Sequence, residues 1–225
     1  MYILRNNLLW SQAKELAFSC VFLIFFNLFM FSIYGLYLYL KVAGVVALFF
    51  FFCLYFFRNP KRVCQAAVLD SAVIVSPADG VIVDIQRNNN EFGDRYIQKI
   101  SIFLSPLDVH VNWVPFNSTI NQMTYKSGKF MCAFLPKSSE FNERHDVEFK
   151  RDSKGGSVLV RQIAGTVARR ICWWVDMGAR VCVGDTFGMI RFGSRVDIFL
   201  PAIVTLTVSE GQRVHGGETV LGVWQ

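Results

Sequence analysis

A glycine and a serine in a β-rich stretch are the residues of this chain best placed for unusual chemistry. Gly193 and Ser194 lie within residues 189–201, between two runs of residues with high strand propensity. Glycine leaves its peptide carbonyl unhindered, and the serine hydroxyl follows directly. The pair therefore suits an attack of the serine oxygen on the preceding peptide bond. A hairpin turn or bulge is the ordinary structural explanation of Gly-Ser between strands.

Such an attack would place a reactive carbonyl at the start of a new chain. If Ser194 Oγ adds to the Gly193 carbonyl, the amide becomes an ester, and β-elimination leaves a dehydroalanine that hydrolyses to a pyruvoyl group. A primary amine condenses with this group to a Schiff base, and a carboxylate on the carbon bearing the amine can leave as carbon dioxide, as it does on pyridoxal phosphate. The pair thus indicates a cut between residues 193 and 194 that generates an electron sink.

One of only three histidines stands in a polar pattern. His110 follows Asp108 and precedes Asn112, and the alternation of a β-strand predicts all three side chains on one face. An imidazole in such surroundings is suited to proton transfer near neutral pH. The solvent-exposed face of an antiparallel strand explains the same pattern without chemistry.

A third candidate is Asp79, in the turn sequence of residues 76–80. Aspartate before glycine is a common turn pair, which by itself accounts for the residue. The functional interpretation is that its carboxylate orients an imidazole, fixes the tautomer and stabilises the protonated form, as in catalytic triads.

From residue 73 onward, short β-branched runs alternate with Gly, Pro, Asn and Asp. They predict strands at residues 72–75, 81–85, 97–104, 109–114, 158–163, 187–192, 196–200 and 203–208. Residues 178–186 also align with residues 211–219, since each unit has a turn glycine, a short strand ending in Arg-Val, and a second turn closed by Gly and an acid before Thr. Such pairs predict a mainly β sandwich or barrel with quasi-symmetric hairpin units and few or short helices.

The N-terminal part is apolar. Residues 16–40 carry no charge, and after Lys41 the apolar run resumes over residues 42–57. As one helix the stretch would be about 60 Å long, against a hydrocarbon core of about 30 Å, so two apolar helices joined near Gly35 and Lys41 fit better. They would form either a transmembrane hairpin or a re-entrant one. Positive residues at both ends of the stretch predict that both termini lie in the cytoplasm.

Asn59-Pro60 ends the second apolar helix, because proline restricts the residue before it and cannot continue the helix. The sequence therefore predicts a membrane anchor over residues 1–60 and one β domain over residues 61–225.

The formal net charge of +6 fits nucleic acid or an anionic lipid surface as a partner. No basic cluster with interleaved aromatic residues occurs in the soluble part, which disfavours nucleic acid. The six cysteines include no Cys-x-x-Cys pair and the histidines are scattered, so neither a metal site nor a disulfide framework is predicted.

Taken together, these segments resemble phosphatidylserine decarboxylase, in the short bacterial form of the proenzyme. The similarity is carried by the paired apolar segments, residues 76–80 (SPADG), residues 103–110 (FLSPLDVH) and Gly193-Ser194. It extends from the second apolar segment to Gln225.

The resemblance implies decarboxylation of phosphatidylserine to phosphatidylethanolamine in phospholipid biosynthesis. It implies a self-cut into a large chain (1–193) and a small chain (194–225) that stay associated, with Ser194 converted to pyruvoyl and with no metal or pyridoxal phosphate. His110 matches a histidine assigned to the reaction centre, and Asp79 matches an aspartate in the same turn context. The implied location is the bacterial cytoplasmic membrane, with the catalytic domain on the cytoplasmic face. A homo-oligomer is compatible with the sequence.

Trp113 departs from the long forms of the family, which carry a second histidine there, thought to be the base for the self-cut. The base is then either His110, serving both steps, or His145 as a substitute, and we favour His110. Several arginines near the later strands could hold a headgroup, and the sequence does not select among them: Arg161, Arg169, Arg170, Arg180, Arg191 and Arg195.

Two other interpretations stay open at this point. A non-enzymatic, membrane-anchored carrier-type or adaptor β domain would explain the anchor and the repeat, although the lysine that a carrier needs at a hairpin tip is missing. Pyruvoyl chemistry requires only an amino-acid headgroup, so a related amine-bearing substrate is the other alternative. The anchor favours a lipid.

Overall fold

The computed structural model describes residues 18–29, 31–32, 35–128, 141–151, 155–165, 170–190 and 194–225. Gly193, the residue before the predicted cut, lies outside the described residues. The chain divides into two compact units, residues 1–58 and residues 59–225, and each is described by itself.

The first unit is helical and apolar. Its described helices are α1, Phe18–Phe29, and α2, Leu36–Phe56. By length and composition α2 can cross a membrane, with 21 residues and a mean hydropathy of 2.1, and it is the one such helix in the described ranges. Gly35 precedes α2 with a φ of 83°, a conformation that glycine adopts without strain. Lys41, predicted at the turn, instead lies inside α2, with its ammonium over the Tyr37 ring.

The second unit is mainly β, which confirms the predicted fold class. Its described helices are short: α3, Gln65–Leu69, and a 3-10 turn, Gly93–Arg95. The strands are β1 Val73–Val75, β2 Gly80–Gln86, β3 Gln98–Leu104, β4 Val111–Trp113, β5 Ser118–Lys126, β6 Arg144–Arg151, β7 Ser157–Ala164, β8 Ile171–Trp173, β9 Arg180–Val181, β10 Thr186–Ile190, β11 Ser194–Leu200, β12 Val204–Leu206, β13 Arg213–Val214 and β14 Val220–Trp224.

These strands form one large and two small antiparallel sheets. The large sheet has eight strands in the order β13-β2-β3-β11-β7-β6-β5-β9, and the small sheets have the orders β1-β14-β12 and β4-β10-β8. Ile82 and Val196 of the large sheet belong to one buried cluster with Phe187 of a small sheet, so the sheets share one core. About every second residue of each central strand points into this core. A shift by one residue would turn these side chains to the other face of the sheet, so the core fixes the strand register.

The β domain consists of two halves with the same strand order. Strands β4–β10 form the continuous half, and strands β1–β3 with β11–β14 form the split half, so each half has seven of the described strands. Exchanging the halves maps β13-β2-β3-β11 onto β9-β5-β6-β7 and one small sheet onto the other. The chain thus inserts one whole half between β3 and β11 of the other.

The internal repeat occupies equivalent places in the two halves. Gly178 N–H donates to Ile120 O in the continuous half, as Gly211 N–H donates to Ile82 O in the split half, both at 2.8 Å. The four turn glycines of the repeat have φ values between 73° and 81°. The quasi-symmetric hairpin units predicted from the sequence are therefore confirmed.

The strand register identifies residues that correspond between the halves. Ile82 and Ile120, which accept the two repeat hydrogen bonds, occupy equivalent positions. Two steps across the sheet lead from Ile82 to Val196 in β11 and from Ile120 to Val158 in β7, so these two valines correspond. Two residues earlier, Ser194 in the split half corresponds to Gly156 in the continuous half. The serine therefore has no counterpart in its symmetric position.

Candidate active site

Ser194 is the first residue of β11, in the middle of the large sheet. It is paired with Leu104 of β3 on one side and with Ala164 of β7 on the other. Its side chain is fully buried, and among the described residues its Oγ has no hydrogen-bond partner. A buried polar group left unsatisfied costs about 1–3 kcal/mol, so its retention points to a chemical role.

His110 is buried just before β4. Its Nδ1 lies 2.9 Å from the carbonyl oxygen of Asp108, and because a carbonyl only accepts, Nδ1 carries the proton and donates. The acceptor nitrogen of the neutral ring is then Nε2, the form that a general base requires. The His110 carbonyl in turn accepts the N–H of Ile190 at 3.1 Å.

Two short segments connect Ser194 with His110 through backbone pairing at their ends. One segment runs from Leu104, the cross-strand partner of Ser194, to His110. The other runs from Ile190, which is hydrogen-bonded to His110, to Ser194. The segments are joined at both ends and so form a closed ring, in which Ile190 and Ser194 are at most about 14 Å apart along the chain. These pairings connect the segments that carry the predicted nucleophile and the predicted base, and the approach of their side chains stays a prediction.

The loop before His110 is closed by Asp108. Its Oδ2 accepts the N–H of Ser105 at 2.8 Å, and its Oδ1 accepts from Arg213. Because β4 begins at Val111, Asp108 lies in a turn, and the predicted strand face shared with His110 is wrong at this residue. Sequence reasoning missed Arg213, whose side chain is 58% exposed.

Asp79 is buried, but the structure does not bring its carboxylate to His110. Arg62 donates to both carboxylate oxygens, and Gly216 N–H donates to Oδ1 at 2.8 Å. Arg62 also donates to the Gly216 carbonyl at 3.0 Å. Asp79 therefore holds the segment after the first unit against a turn of the repeat, a role with no signal in the local sequence.

The continuous half shows which part of this arrangement belongs to the scaffold. Asn117 corresponds to Asp79, and its Oδ1 accepts the N–H of Val183 at 2.9 Å, in the equivalent repeat turn. The bond to the turn is therefore shared by both halves. The ion pair with Arg62 is an addition of the split half.

Trp113, at the position of the second histidine of the long forms, is a packing residue. Its buried ring contacts Gly216 closely enough that a Cβ there would overlap it. The Arg62 guanidinium lies 4.7 Å from the ring centroid. The tryptophan thus braces the Arg62–Asp79 pair and supplies no base.

His145, the other candidate base, belongs to a chain of polar side chains. Its Nδ1 lies 3.0 Å from Gln162 Oε1, Gln162 Nε2 donates to Asn112 Oδ1 at 2.7 Å, and Asn112 Nδ2 donates to Pro77 O at 3.4 Å. The ring stacks on Trp173 with centroids 4.4 Å apart. Burial lowers the pKa of His145, opposed by Gln162 and a nearby carboxylate, so the ring is neutral at neutral pH.

Whether His110 or His145 is the base stays a prediction, and we favour His110. Nδ1 of each ring has a hydrogen-bond partner, the Asp108 carbonyl for His110 and Gln162 Oε1 for His145. Gln162 was missed from the sequence because nothing in β7 indicates that its side chain is hydrogen-bonded to a distant histidine.

The arginines predicted as headgroup ligands fall into different settings. Arg161 and Arg195 are buried and paired with Asp146 and Asp197, so their charges are already compensated inside the sheet. Arg169 and Arg191 lie outside the described residues.

A pyruvoyl group fits at position 194. It is no bulkier than the serine from which it would form, and the hydroxyl that would be consumed has no hydrogen bond to lose within the described ranges. In the part of the chain that the structure describes, no group of three His, Cys, Asp or Glu side chains could hold a metal ion.

A buried serine with an unpartnered hydroxyl, among the described residues, and a buried histidine are compatible with an enzyme site, and the comparisons with known proteins identify the class. The family model described as phosphatidylserine decarboxylase matches residues 49–222. The phosphatidylserine decarboxylase proenzyme of Wolbachia pipientis is 44% identical over 184 residues, covering 79% of this chain and 78% of that protein. The corresponding proenzymes of Ehrlichia chaffeensis and Salinibacter ruber are each 45% identical, over 77% and 76% of this chain and 76% and 75% of their own lengths.

The chain therefore belongs to the phosphatidylserine decarboxylase family. This confirms the resemblance drawn from residues 76–80, 103–110 and 193–194. The alternative of a non-enzymatic carrier-type or adaptor domain is not favoured.

Proposed function

We propose that this chain is a proenzyme that cuts itself between Gly193 and Ser194 and then decarboxylates phosphatidylserine to phosphatidylethanolamine. Family membership supports the reaction. One observation carries the proposal. The side chain directly after the scissile bond, that of Ser194, is buried, and its Oγ has no hydrogen-bond partner among the described side chains and backbone groups.

In the proposed cut, Ser194 Oγ attacks the carbonyl carbon of Gly193 while Nε2 of His110 takes the hydroxyl proton. The C–N bond breaks, the nitrogen of residue 194 takes a proton, and the amide becomes an ester. Loss of the Cα proton of residue 194 expels Gly193 as a carboxylate and leaves a dehydroalanine. Its enamine tautomerises to an imine, and water replaces the nitrogen, which leaves as ammonia. No oxidant or reductant is needed.

The mature site combines the new group with the chain's own acid and base. A pyruvoyl group supplies a carbonyl that engages the substrate amine and accepts electrons as carbon dioxide leaves. His110 holds the proton for the carbon that loses carbon dioxide, since an imidazole gives up a proton readily near neutral pH. The burial of residues 110 and 194 keeps bulk water from competing for that carbon.

The two products of the cut stay associated. The large chain, residues 1–193, carries β1–β10, and the small chain, residues 194–225, carries β11–β14. β11 is hydrogen-bonded to β3 and to β7, so both of its edges are held by the large chain.

Asp79 orients His110 only indirectly. Its carboxylate fixes Arg62 and the Gly216 turn around Trp113, three residues after His110 in the same strand region. Asp79 is thus a positioning residue, and His110 acts as the base in both steps.

Residues 1–60 are the anchor and residues 61–225 the decarboxylase domain. The apolar helix α2 supports insertion in a membrane, here the bacterial cytoplasmic membrane. Positive residues that follow α2, namely Arg58, Lys61 and Arg62, support a domain on the cytoplasmic face. Anchoring raises the local concentration of a phospholipid substrate around the site.

Mass spectrometry of the purified full-length protein tests the proposal. Two fragments are expected, and the small one should be lighter by one ammonia than simple hydrolysis before Ser194 predicts. Ser194→Ala should remain a single polypeptide and release no carbon dioxide from phosphatidylserine. An intact wild-type chain that decarboxylates the lipid would refute the mechanism.

A further inference from the structure

The strand that starts at Ser194 presents different chemistry on its two faces. Val196 and Ile198 belong to the buried core on the face of Ser194. Arg195 and Asp197 alternate with them and therefore point to the opposite face of the sheet. Both are nevertheless buried, with 5% and 0% of their surface exposed.

Arg195 and Asp197 form a bidentate ion pair within β11. Arg195 Nε lies 2.6 Å from Asp197 Oδ1, and Nη2 lies 3.0 Å from Oδ2. Both residues also reach β3, since Arg195 Nη2 donates to Ser101 Oγ at 3.0 Å and Lys99 Nζ lies 3.7 Å from Asp197 Oδ2. In the cut protein β3 belongs to the large chain and β11 to the small chain, so these contacts join the two chains.

The symmetric strand of the other half lacks this arrangement. Ser194 corresponds to Gly156, so the counterparts of Arg195 and Asp197 in β7 are Ser157 and Leu159. The two strands are neighbours with the same pairing on the same sheet. At these equivalent positions the pair therefore occurs on β11 and not on β7, whose buried Arg161 pairs instead with Asp146 of β6.

A cut before residue 194 removes the covalent restraint from the start of β11. Chain ends fray unless side chains tie them down, and a frayed end would let the pyruvoyl group leave its position. Arg195 is the residue next to that end. Because its side chain points away from the face of residue 194, it can hold the end without entering the site.

We propose that Arg195, fixed by Asp197 and bonded to Ser101, is a positioning residue that keeps the pyruvoyl end of the small chain in place after the cut. This inference rests on the proposed function. It assigns to the pair a role that begins only once the peptide bond is broken, since the intact chain restrains the same strand covalently.

Hydrogen exchange of the amides of residues 195–200, measured by mass spectrometry on the full-length protein, tests the inference. Arg195→Met is compared in two backgrounds, the self-cutting chain and the uncut Ser194→Ala chain. In the cut protein the exchange rate should rise about tenfold or more, and in the uncut protein it should change far less. Turnover per small chain should fall about tenfold while the extent of cutting stays complete.

Arg161→Met is the matched control. Arg161 forms the same bidentate pair with Asp146, but β6 and β7 both belong to the large chain. Its removal should alter exchange in residues 195–200 equally in the two backgrounds. Equal effects of Arg195→Met in both backgrounds would overturn the inference and would give Arg195 a merely structural role.

Ser101→Ala provides a second variant in case Arg195→Met does not fold. It removes one hydrogen bond between β3 and Arg195 and leaves every charge paired. A smaller rise in exchange, confined to the cut protein, is expected, and no difference between backgrounds would overturn the inference. If the wild-type chain were found uncut, the proposed function itself would fail, which is a distinguishable result.

Discussion

The two halves of the β domain share a strand order and turn geometry but differ at the residues that can do chemistry. Ser194 of the split half corresponds to Gly156, where a Cβ would lie 2.8 Å from the ring of Trp224. His110 of the continuous half corresponds to Ala72, whose carbonyl accepts the equivalent hydrogen bond, from Trp224 N–H. The split half thus contributes the serine and the continuous half contributes the histidine, and neither half has both.

This difference shows that the scaffold alone is not the site. The turn contact of Asp79 recurs at Asn117 and is architectural, whereas Arg62, Ser194 and His110 are additions that occur once. Because the serine and the histidine come from different halves, the site exists only while the halves are packed together.

The largest effect is expected from His110→Ala, which removes the contribution of the continuous half. Self-cutting should slow, and turnover per small chain should fall by about 10²–10⁴-fold, the usual range for a positioned acid or base. The cut fraction over time and the release of carbon dioxide measure the two steps separately.

His215→Ala is the matched control for this variant. His215 lies in an exposed repeat turn and uses its backbone N–H, not its ring, to bind Thr219. It should cut and turn over normally. Wild-type rates for His110→Ala would show that another group, such as His145, is the base.

An exchange of the corresponding residues Asp79 and Asn117 should have an intermediate effect. Asp79→Asn keeps an oxygen for Gly216 N–H but leaves the partly buried Arg62 without its carboxylate, so the free energy of unfolding should fall by about 1–3 kcal/mol. Asn117→Asp is exposed and keeps its acceptor, so it should change stability by at most about 0.5 kcal/mol. Denaturant unfolding in the uncut Ser194→Ala background gives both values.

The pH dependence of turnover separates the two possible roles of Asp79. Its carboxylate is hydrogen-bonded to Arg62 and Gly216, so Asp79→Asn should leave the pH profile in place while lowering the rate less than His110→Ala does. A displaced profile would instead indicate direct pairing with His110.

The smallest effect is expected from the titration of His145. Burial lowers its pKa in the folded protein, so below about pH 6.5 the unfolded state binds the proton first and is favoured as the pH falls. Between pH 7.5 and 5.5 this should cost up to about 1.4 kcal/mol of stability. Thermal unfolding of Ser194→Ala at several pH values measures it, and His145→Asn should remove that part of the slope. An unchanged slope would contradict the assignment.

The sequence predicts most of the apolar strands and the repeat, because β-branched runs and turn glycines are local signals. It misses the apolar strands β8 and β14. It does not predict β5 and β6, since Ser118–Lys126 and Arg144–Arg151 are largely polar. In β6 alternate residues such as Val147 and Phe149 are buried in the core, while the polar residues between them pair on the other face. That pairing depends on neighbours distant in sequence.

The sequence predicts the reactive residues of the candidate site but not the residues that hold them in position. Ser194 and His110 are recognisable by residue type and family motif, whereas Arg62 lies 17 positions from Asp79 and their pairing is set by tertiary structure. Gln162 and Arg195 contact residues of other strands, so only the register reveals what they bind.

The place of β11 also bears on synthesis. It lies between β3 and β7 at the centre of the large sheet, yet it belongs to residues 194–225, which are synthesised after both of those neighbours. Until then the nascent domain has a gap where its middle strand belongs, and the serine has no neighbours to act with. If the proposed function holds, a product that ends before β11 is therefore inert, and the reactive carbonyl forms only in molecules whose large sheet is assembled.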